Sequence, residues 1–163
     1  TGVQTCALPI YNTGWAVIKY TNMKSDGTPG SDNVFPDTDF PMYRLADAYL
    51  MYAEAVLRGG TGGDKTLALG YVNDLRRRAG VSVIGDSDLT LDFLLNERAR
   101  ELYWEGHRRT DLIRFGKFTK NYAWPWKNGV YAGTANIDDK YKLYPIPAAE
   151  LVANPNIKQN TGF

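Results

Sequence analysis

Acidic and basic side chains crowd one short stretch of this chain. Residues 96–118, NERARELYWEGHRRTDLIRFGKF, set Glu97, Arg98, Arg100, Glu101, Glu105, Arg108, Arg109, Asp111 and Arg114 among Leu102, Tyr103, Trp104, Leu112, Ile113 and Phe115. Two chemistries suit such a set. Two carboxylates, one of them with a raised pKa, would serve as acid and base in glycoside hydrolysis. Arginines beside the acids do the reverse, because a guanidinium is a planar fork that meets a carboxylate at two points and holds it ionised. Each acid here has an arginine nearby: Glu101 lies within a turn of Arg98, Glu97 of Arg100, and Glu105 is in reach of Arg108 and Arg109. The stretch therefore reads as a structural salt-bridge network that orients helices, and no catalytic residue is assigned.

Metal and cofactor chemistry find no support either. His107 is the single histidine and reads as a helix-end or network donor; Cys6 is the single cysteine, so neither a zinc cluster nor an internal disulfide framework is expected. With 163 residues, a net charge of +1 and 23% charged residues, the arginines are balanced locally and no basic field invites nucleic acid. The run Arg76-Arg77-Arg78 reads as cations at a helix C-terminus. No apolar run is long enough to cross a membrane.

A second constellation could bind rather than react. Residues 119–144, TKNYAWPWKNGVYAGTANIDDKYKLY, set Tyr122, Trp124, Trp126 and Tyr131 among Pro, Gly and Asn without helical spacing. A loop of this length in a small domain is often functional. Flat aromatic faces suit the apolar faces of sugar rings, with Lys127, Asn128 and Asn136 to meet hydroxyls at the rim. The competing reading has Trp124 and Trp126 covering the helices beneath.

The elements that must position these residues are mainly helical. Leu45, Tyr49, Tyr52, Ala53 and Val56 recur every three or four positions after Pro41, and Gly59 and Gly60 stop that helix. Residues 64–79 form a second amphipathic run on Leu67, Ala68, Tyr71, Val72, Leu75 and Ala79. The small residues Ala53, Ala55, Ala68 and Gly70 would let the pair approach closely. A third helix starts at Thr90 as N-cap, shows Leu91, Leu94, Leu95, Arg98 and Leu102 on one face, and stops at Gly106. A fourth, short helix covers 108–115. Residues 14–20 predict a short strand, and 21–41 a surface loop whose Asp26, Asp32, Asp37 and Asp39 read as solvated turn residues, lacking the spacing of a calcium loop. Residues 145–163 predict an extended segment, one helical turn over 148–152 and a breaker at Asn154-Pro155-Asn156.

The helix pair within residues 41–80 has about the 34-residue size of one tetratricopeptide unit, and one such unit does not bury its face alone. The fold class is thus mainly α, a tetratricopeptide-like scaffold with loop-rich segments.

Four ordered blocks resemble the SusD/RagB family of surface glycan-binding lipoproteins from Bacteroidetes-type nutrient uptake systems. They are FPMYRLADAYLMYAEAV at 40–56, ALGYVNDLRRRAGV at 68–81, LNERARELYWEGHRRTDLIRFGKF at 95–118 and LYPIPAAELVANPNIKQNTGF at 143–163. The resemblance implies a tetratricopeptide-like fold with a ligand-binding side, a SusC-like TonB-dependent transporter as partner, an oligosaccharide or polysaccharide ligand, no catalysis, and an outer-membrane surface location. It casts residues 11–163 as the C-terminal part of such a domain, with the lipid anchor in an N-terminal part that this chain lacks. The run Trp124-Pro125-Trp126-Lys127 is similar to what starch-type members carry, which points to an α-glucan. Residues 1–10, TGVQTCALPI, resemble translated adapter sequence and are set aside with Cys6 as a non-native scar. The alternatives are a tetratricopeptide-like protein-interaction scaffold and a glycosidase.

Overall fold

Helices form where apolar residues recur at helical spacing and a side chain satisfies the first free N–H groups. The structure, a computed structural model, describes residues 3–4, 16–17, 19–32 and 34–163. It divides into two compact units, Thr1–Arg44 and Leu45–Phe163.

The second unit holds the helices: α1 (Leu45–Leu57), α2 (Lys65–Arg78), α3 (Leu91–Glu101), α4 (Arg108–Arg114) and α5 (Ala148–Ala153). Asp64 caps α2, its Oδ1 accepting from the N–H of Thr66 at 2.7 Å and of Leu67 at 3.3 Å. Thr90 caps α3 as its sequence position implies, accepting from Phe93 N–H at 3.1 Å. α1 and α2 form a helical hairpin whose buried stripe is Ala46, Leu50 and Ala53 against Ala68, Val72 and Leu75. Tyr49 stacks on Tyr71 with ring centroids 4.2 Å apart. Leu89, Leu94 and Leu102 close the core from α3 and its flanks.

Four expectations shift. α1 begins at Leu45, so Pro41 lies ahead of the helix. Its buried stripe is rotated from the expected one: Leu45 is exposed and Leu50 is fully buried, because α1 must turn Asp47 and Glu54 inward as well as its apolar side. Of the small residues, Ala53 and Ala68 sit in the contact, whereas Ala55 is exposed and a Cβ on Gly70 would meet open space. α3 stops at Glu101, and residues 102–106 make an irregular turn. There Trp104 takes φ 62° and Gly106 φ 78°, the left-handed conformation that glycine adopts without strain. Tyr103 and Trp104, in this turn, are exposed.

Asn73 pins the connection after α2, its amide donating to Ile84 O at 3.1 Å and accepting from Ile84 N–H at 2.9 Å. At the chain end α5 stops before Asn154-Pro155-Asn156, and the Gln159 amide clasps Ile146 by bonding both its N–H and its carbonyl at 2.9 Å.

In the first unit, Ala16–Val17 pairs antiparallel with Val3–Gln4, Val3 opposite Val17. The rest of the strand expected over 14–20 lies outside the described residues, apart from 19–20, and so do residues 1–10 apart from Val3–Gln4. The loop that follows is closed by its own acids. Asp26 accepts from Thr28, Asp32 from the N–H groups of Val34 and Phe35, and Asp37 from Ser31. These bonds hold all three carboxyls below their ordinary pKa. Among the described residues no group of three or more His, Cys, Asp or Glu side chains could hold a metal ion.

Leu50→Ala leaves a cavity where α1, α2 and α3 meet. The expected loss is about 2–5 kcal/mol of stability, read from urea unfolding of the variant against the parent.

Candidate functional site

Most of the residues singled out in the sequence fall into two constellations. The first is a chain of alternating charges across three helices. Arg98, with 3% of its side chain exposed, sits between Asp47 of α1 and Asp111 of α4. Its Nε donates to Asp111 Oδ2 at 2.9 Å, and its Nη1 lies 2.8 Å from Asp47 Oδ1 as an ion contact without hydrogen-bond geometry. Arg114 donates to Asp111 Oδ1 at 2.7 Å and grips both oxygens of Glu54, through Nε at 2.8 Å and Nη2 at 2.9 Å. Arg58 adds a third bond to Glu54 at 2.9 Å. Three acids thus meet three arginines, and the charge sums to zero.

Burial alone would push the Glu54 carboxyl up; the hydrogen bonds and charges of Arg114 and Arg58 outweigh it and hold the pKa below the ordinary glutamate value. Glu54 in return raises Arg114. A groove of about 410 Å³ opens beside Asp47, Glu54, Asp111 and His107. The acid of a hydrolytic pair needs a raised pKa, and Glu54 moves the other way.

The pairing differs from the local scheme that helical spacing implied. Glu101 takes Arg78 of α2 rather than Arg98. Glu97 is shared by Arg76 of α2, at 3.0 Å, and its neighbour Arg100. Arg76 and Arg78 therefore tie α2 to α3 instead of only facing its C-terminal carbonyls, while Arg77 stays with Asp74. Arg108 donates to Leu95 O at 2.9 Å and to the Tyr122 hydroxyl at 2.6 Å. Arg109 donates to Tyr141 O and Lys142 O, its guanidinium 5.0 Å from the Phe118 ring centre and 4.2 Å from that of Tyr144. Glu105 is buried. Asp47, Glu54 and Arg58 escaped the sequence reading. The signal was present: Asp47 and Glu54 are seven residues apart, two helical turns, so both accompany Leu50 on the inward side of α1.

The second constellation is the aromatic loop, which folds back on itself. Ile137 N–H bonds Thr119 O at 2.9 Å, Tyr122 N–H bonds Ala135 O at 3.4 Å, and Trp126 N–H bonds Tyr131 O at 3.2 Å. At the base Thr119, 1% exposed, donates to Asp139. That bond, with Lys142 and Lys120, draws the Asp139 pKa down to about 2. Trp126 and Asn128 adopt positive φ, 66° and 59°, on either side of Lys127. Gly133 is obligatory, since a Cβ there would lie 1.9 Å from Trp124 O.

This folding splits the candidate residues. Trp124 is half-buried, 5.7 Å from Phe118 and 6.2 Å from Tyr122 between ring centres. Lys127 is not at a rim; it is 2% exposed, and its ammonium bonds Tyr122 O at 2.6 Å and Ala135 O at 3.0 Å. The reason is steric, because the left-handed backbone on both sides of Lys127 turns its side chain into the fold of the loop. Asn136 stays exposed, its amide oxygen accepting from Asn121 N–H at 3.1 Å. Trp126 and Tyr131 stay 64% and 75% exposed, centroids 5.3 Å apart and planes at 89°, with exposed Asn128 beside them.

The described residues thus combine a helical-hairpin scaffold, braced by arginine–carboxylate clasps, with an aromatic corner on a folded loop. Residues 5–163 match the SusD family, and the chain belongs to it. It is 44% identical to the starch-binding protein SusD of Bacteroides thetaiotaomicron, over 99% of this chain and 28% of that protein. It is 27% identical to the SusD-like protein P38 of Formosa agariphila, over 88% of this chain and 31% of that one. The crystal structure of a SusD superfamily protein from Bacteroides thetaiotaomicron superposes with a TM-score of 0.59 at 32% identity, covering 82% of this chain and 30% of the other. Surface glycan-binding protein A from Bacteroides uniformis gives 0.59 at 35% identity, covering 74% and 27%. The chain thus spans under a third of the length of these relatives.

Arg98→Met strands the buried Asp47, leaves Asp111 to Arg114 alone, and is expected to cost about 3–5 kcal/mol, measured by chemical unfolding. The Glu54 clasp carries a pH signature. Its folded pKa is depressed, so its stabilisation is present above the pKa of the unfolded chain and is lost as pH falls through the lower folded value. Melting temperature should therefore fall less between pH 6 and pH 3 in Glu54→Gln, which starts lower, than in the parent.

Proposed function

We propose that this chain is the C-terminal part of a surface glycan-binding lipoprotein that works with a SusC-like TonB-dependent transporter at the outer membrane. In this reading residues 11–163 belong to the C-terminal part of the SusD-like domain. The protein captures oligosaccharide, an α-glucan of the starch type, and presents it to the transporter without breaking a bond. Capture beside a pore raises the concentration that the pore meets, as tethering does in multivalent binding. A lipid anchor, placed in the N-terminal part of the full protein, accounts for attachment, and no described helix is long and apolar enough to cross a membrane.

The observation that carries this reading is the Trp126–Tyr131 corner. Two rings at 89° leave one face free to stack on a sugar ring and an edge to border it, and Asn128 beside them offers an amide to hydroxyls. The name of the 44% identical relative, a starch-binding protein, supports α-glucan as the ligand class.

A second reading, a tetratricopeptide-like scaffold for a protein partner, draws on the groove of about 510 Å³ bordered by Ala99, Leu102, Tyr103 and Trp104, where the two aromatics are exposed. Large exposed apolar surface of this kind is common at protein contacts.

Affinity electrophoresis in gels containing amylopectin separates the two. Retention of the parent chain, reduced roughly fivefold by Trp126→Ala and by Tyr131→Ala as loss of about 1 kcal/mol of stacking from each ring implies, supports glycan capture. Unchanged mobility of the parent across a polysaccharide panel, with capture of a protein by the Tyr103–Trp104 groove that Trp104→Ala abolishes, supports the scaffold.

A further inference from the structure

A lysine that bonds only carbonyls deep in a loop is an unusual use of charge. Burial disfavours the ammonium and lowers its pKa, so the site must return what water supplied. The loop does so from three directions. Tyr122 O at 2.6 Å and Ala135 O at 3.0 Å accept hydrogen bonds from the ammonium, and the Trp124 ring lies beneath with its centroid 4.4 Å from Nζ. The two carbonyls belong to opposite arms of the fold, since Tyr122 N–H also bonds Ala135 O. One side chain thus ties both arms to the aromatic floor.

Its place in the sequence gives the tie a purpose. Trp126 and Asn128, the residues on either side, hold positive φ; asparagine takes that conformation readily, but a bulky side chain such as Trp126 does so only when its surroundings impose it. Trp126 is also the exposed ring of the aromatic corner. We propose that Lys127 is a positioning residue for glycan capture: its buried ammonium staples the two arms of the loop and so fixes the Trp126–Tyr131 corner before ligand arrives. Ligand then meets rings that are already set, and the cost of ordering them is not charged to binding. Lys127 itself touches no sugar. The inference rests on the glycan-binding reading above for its functional half, and on the loop geometry alone for its structural half.

Lys127→Met keeps the length and apolar stem of the side chain and removes the charge. Four measurements on the whole chain decide the matter: far-ultraviolet circular dichroism, near-ultraviolet circular dichroism, amide hydrogen exchange at Trp126 and Ile137, and calorimetric titration with maltoheptaose. The expected result is unchanged helical signal, exchange at both amides faster by at least tenfold, loss of the near-ultraviolet band of the perpendicular rings, and affinity weaker by about tenfold. Trp126→Ala, in contrast, should weaken binding while leaving Ile137 exchange unchanged. Unaltered exchange in Lys127→Met overturns the staple. Faster exchange with unaltered affinity overturns the positioning role, and so does loss of the helical signal, because Lys127 would then hold the whole unit. Should the parent bind neither maltoheptaose nor amylopectin, the glycan reading and the positioning role fall together, and exchange alone decides the staple.

Discussion

Arg98 is the fixed point of the helical unit. Its guanidinium is almost wholly buried, and the only way to keep a charge there is to surround it with acids whose positions are themselves fixed. Asp47 comes from α1 and Asp111 from α4, so placing one arginine places three helices. The effect is directional in a way that apolar contact is not. Leu50, Leu94 and Val72 would tolerate small rotations of their helices; a planar fork between two carboxylates would not. The Arg114–Glu54 pair repeats the constraint between α4 and α1, and Glu97 and Glu101 repeat it between α3 and α2. Such clasps add little net stability, since desolvation cancels much of the attraction, but they choose one arrangement among many similarly apolar ones.

The loop after α4 depends on that arrangement. Arg108 and Arg109 leave α4 in directions set by the clasp, one reaching the Tyr122 hydroxyl and the other the carbonyls of Tyr141 and Lys142. The loop is thereby held near both its ends by the helix that the clasp orients. Inside, it has its own lock in Lys127, Trp124 and Gly133. The clasped helices, the attachment through Arg108 and Arg109 and the ties inside the loop together give the exposed rings a defined geometry, on which the proposed glycan capture draws.

The charged stretch shows where one-dimensional reading succeeds and where it stops. That its acids and arginines would pair follows from composition and spacing, and Arg98, Asp111 and Arg114 do pair, drawing in Asp47 and Glu54 from outside the stretch. The partners do not follow. Arg98 and Asp111 are 13 residues apart and Glu54 and Arg114 are 60 apart, so helical spacing, which sees only three and four, assigned Glu101 to Arg98 when each has a partner on another helix. The aromatic loop shows the same limit. Its residue types indicated contact with sugar, yet Lys127 and Trp126, adjacent in sequence, end on opposite sides of the loop because the backbone turns left-handed at Trp126 and again at Asn128.

By itself, then, the order of residues determined what is local: the extent of α2, the caps at Asp64 and Thr90, the break after α5, and the family to which four ordered blocks pointed. Those features depend on groups within one turn of each other, and their energies are written in neighbouring side chains. Tertiary structure alone decided which face of α1 is buried, which acid each arginine holds, and which aromatics face water. Each of those outcomes depends on elements far apart in the chain arriving at the same place, where a charge must find a partner or stay in solvent.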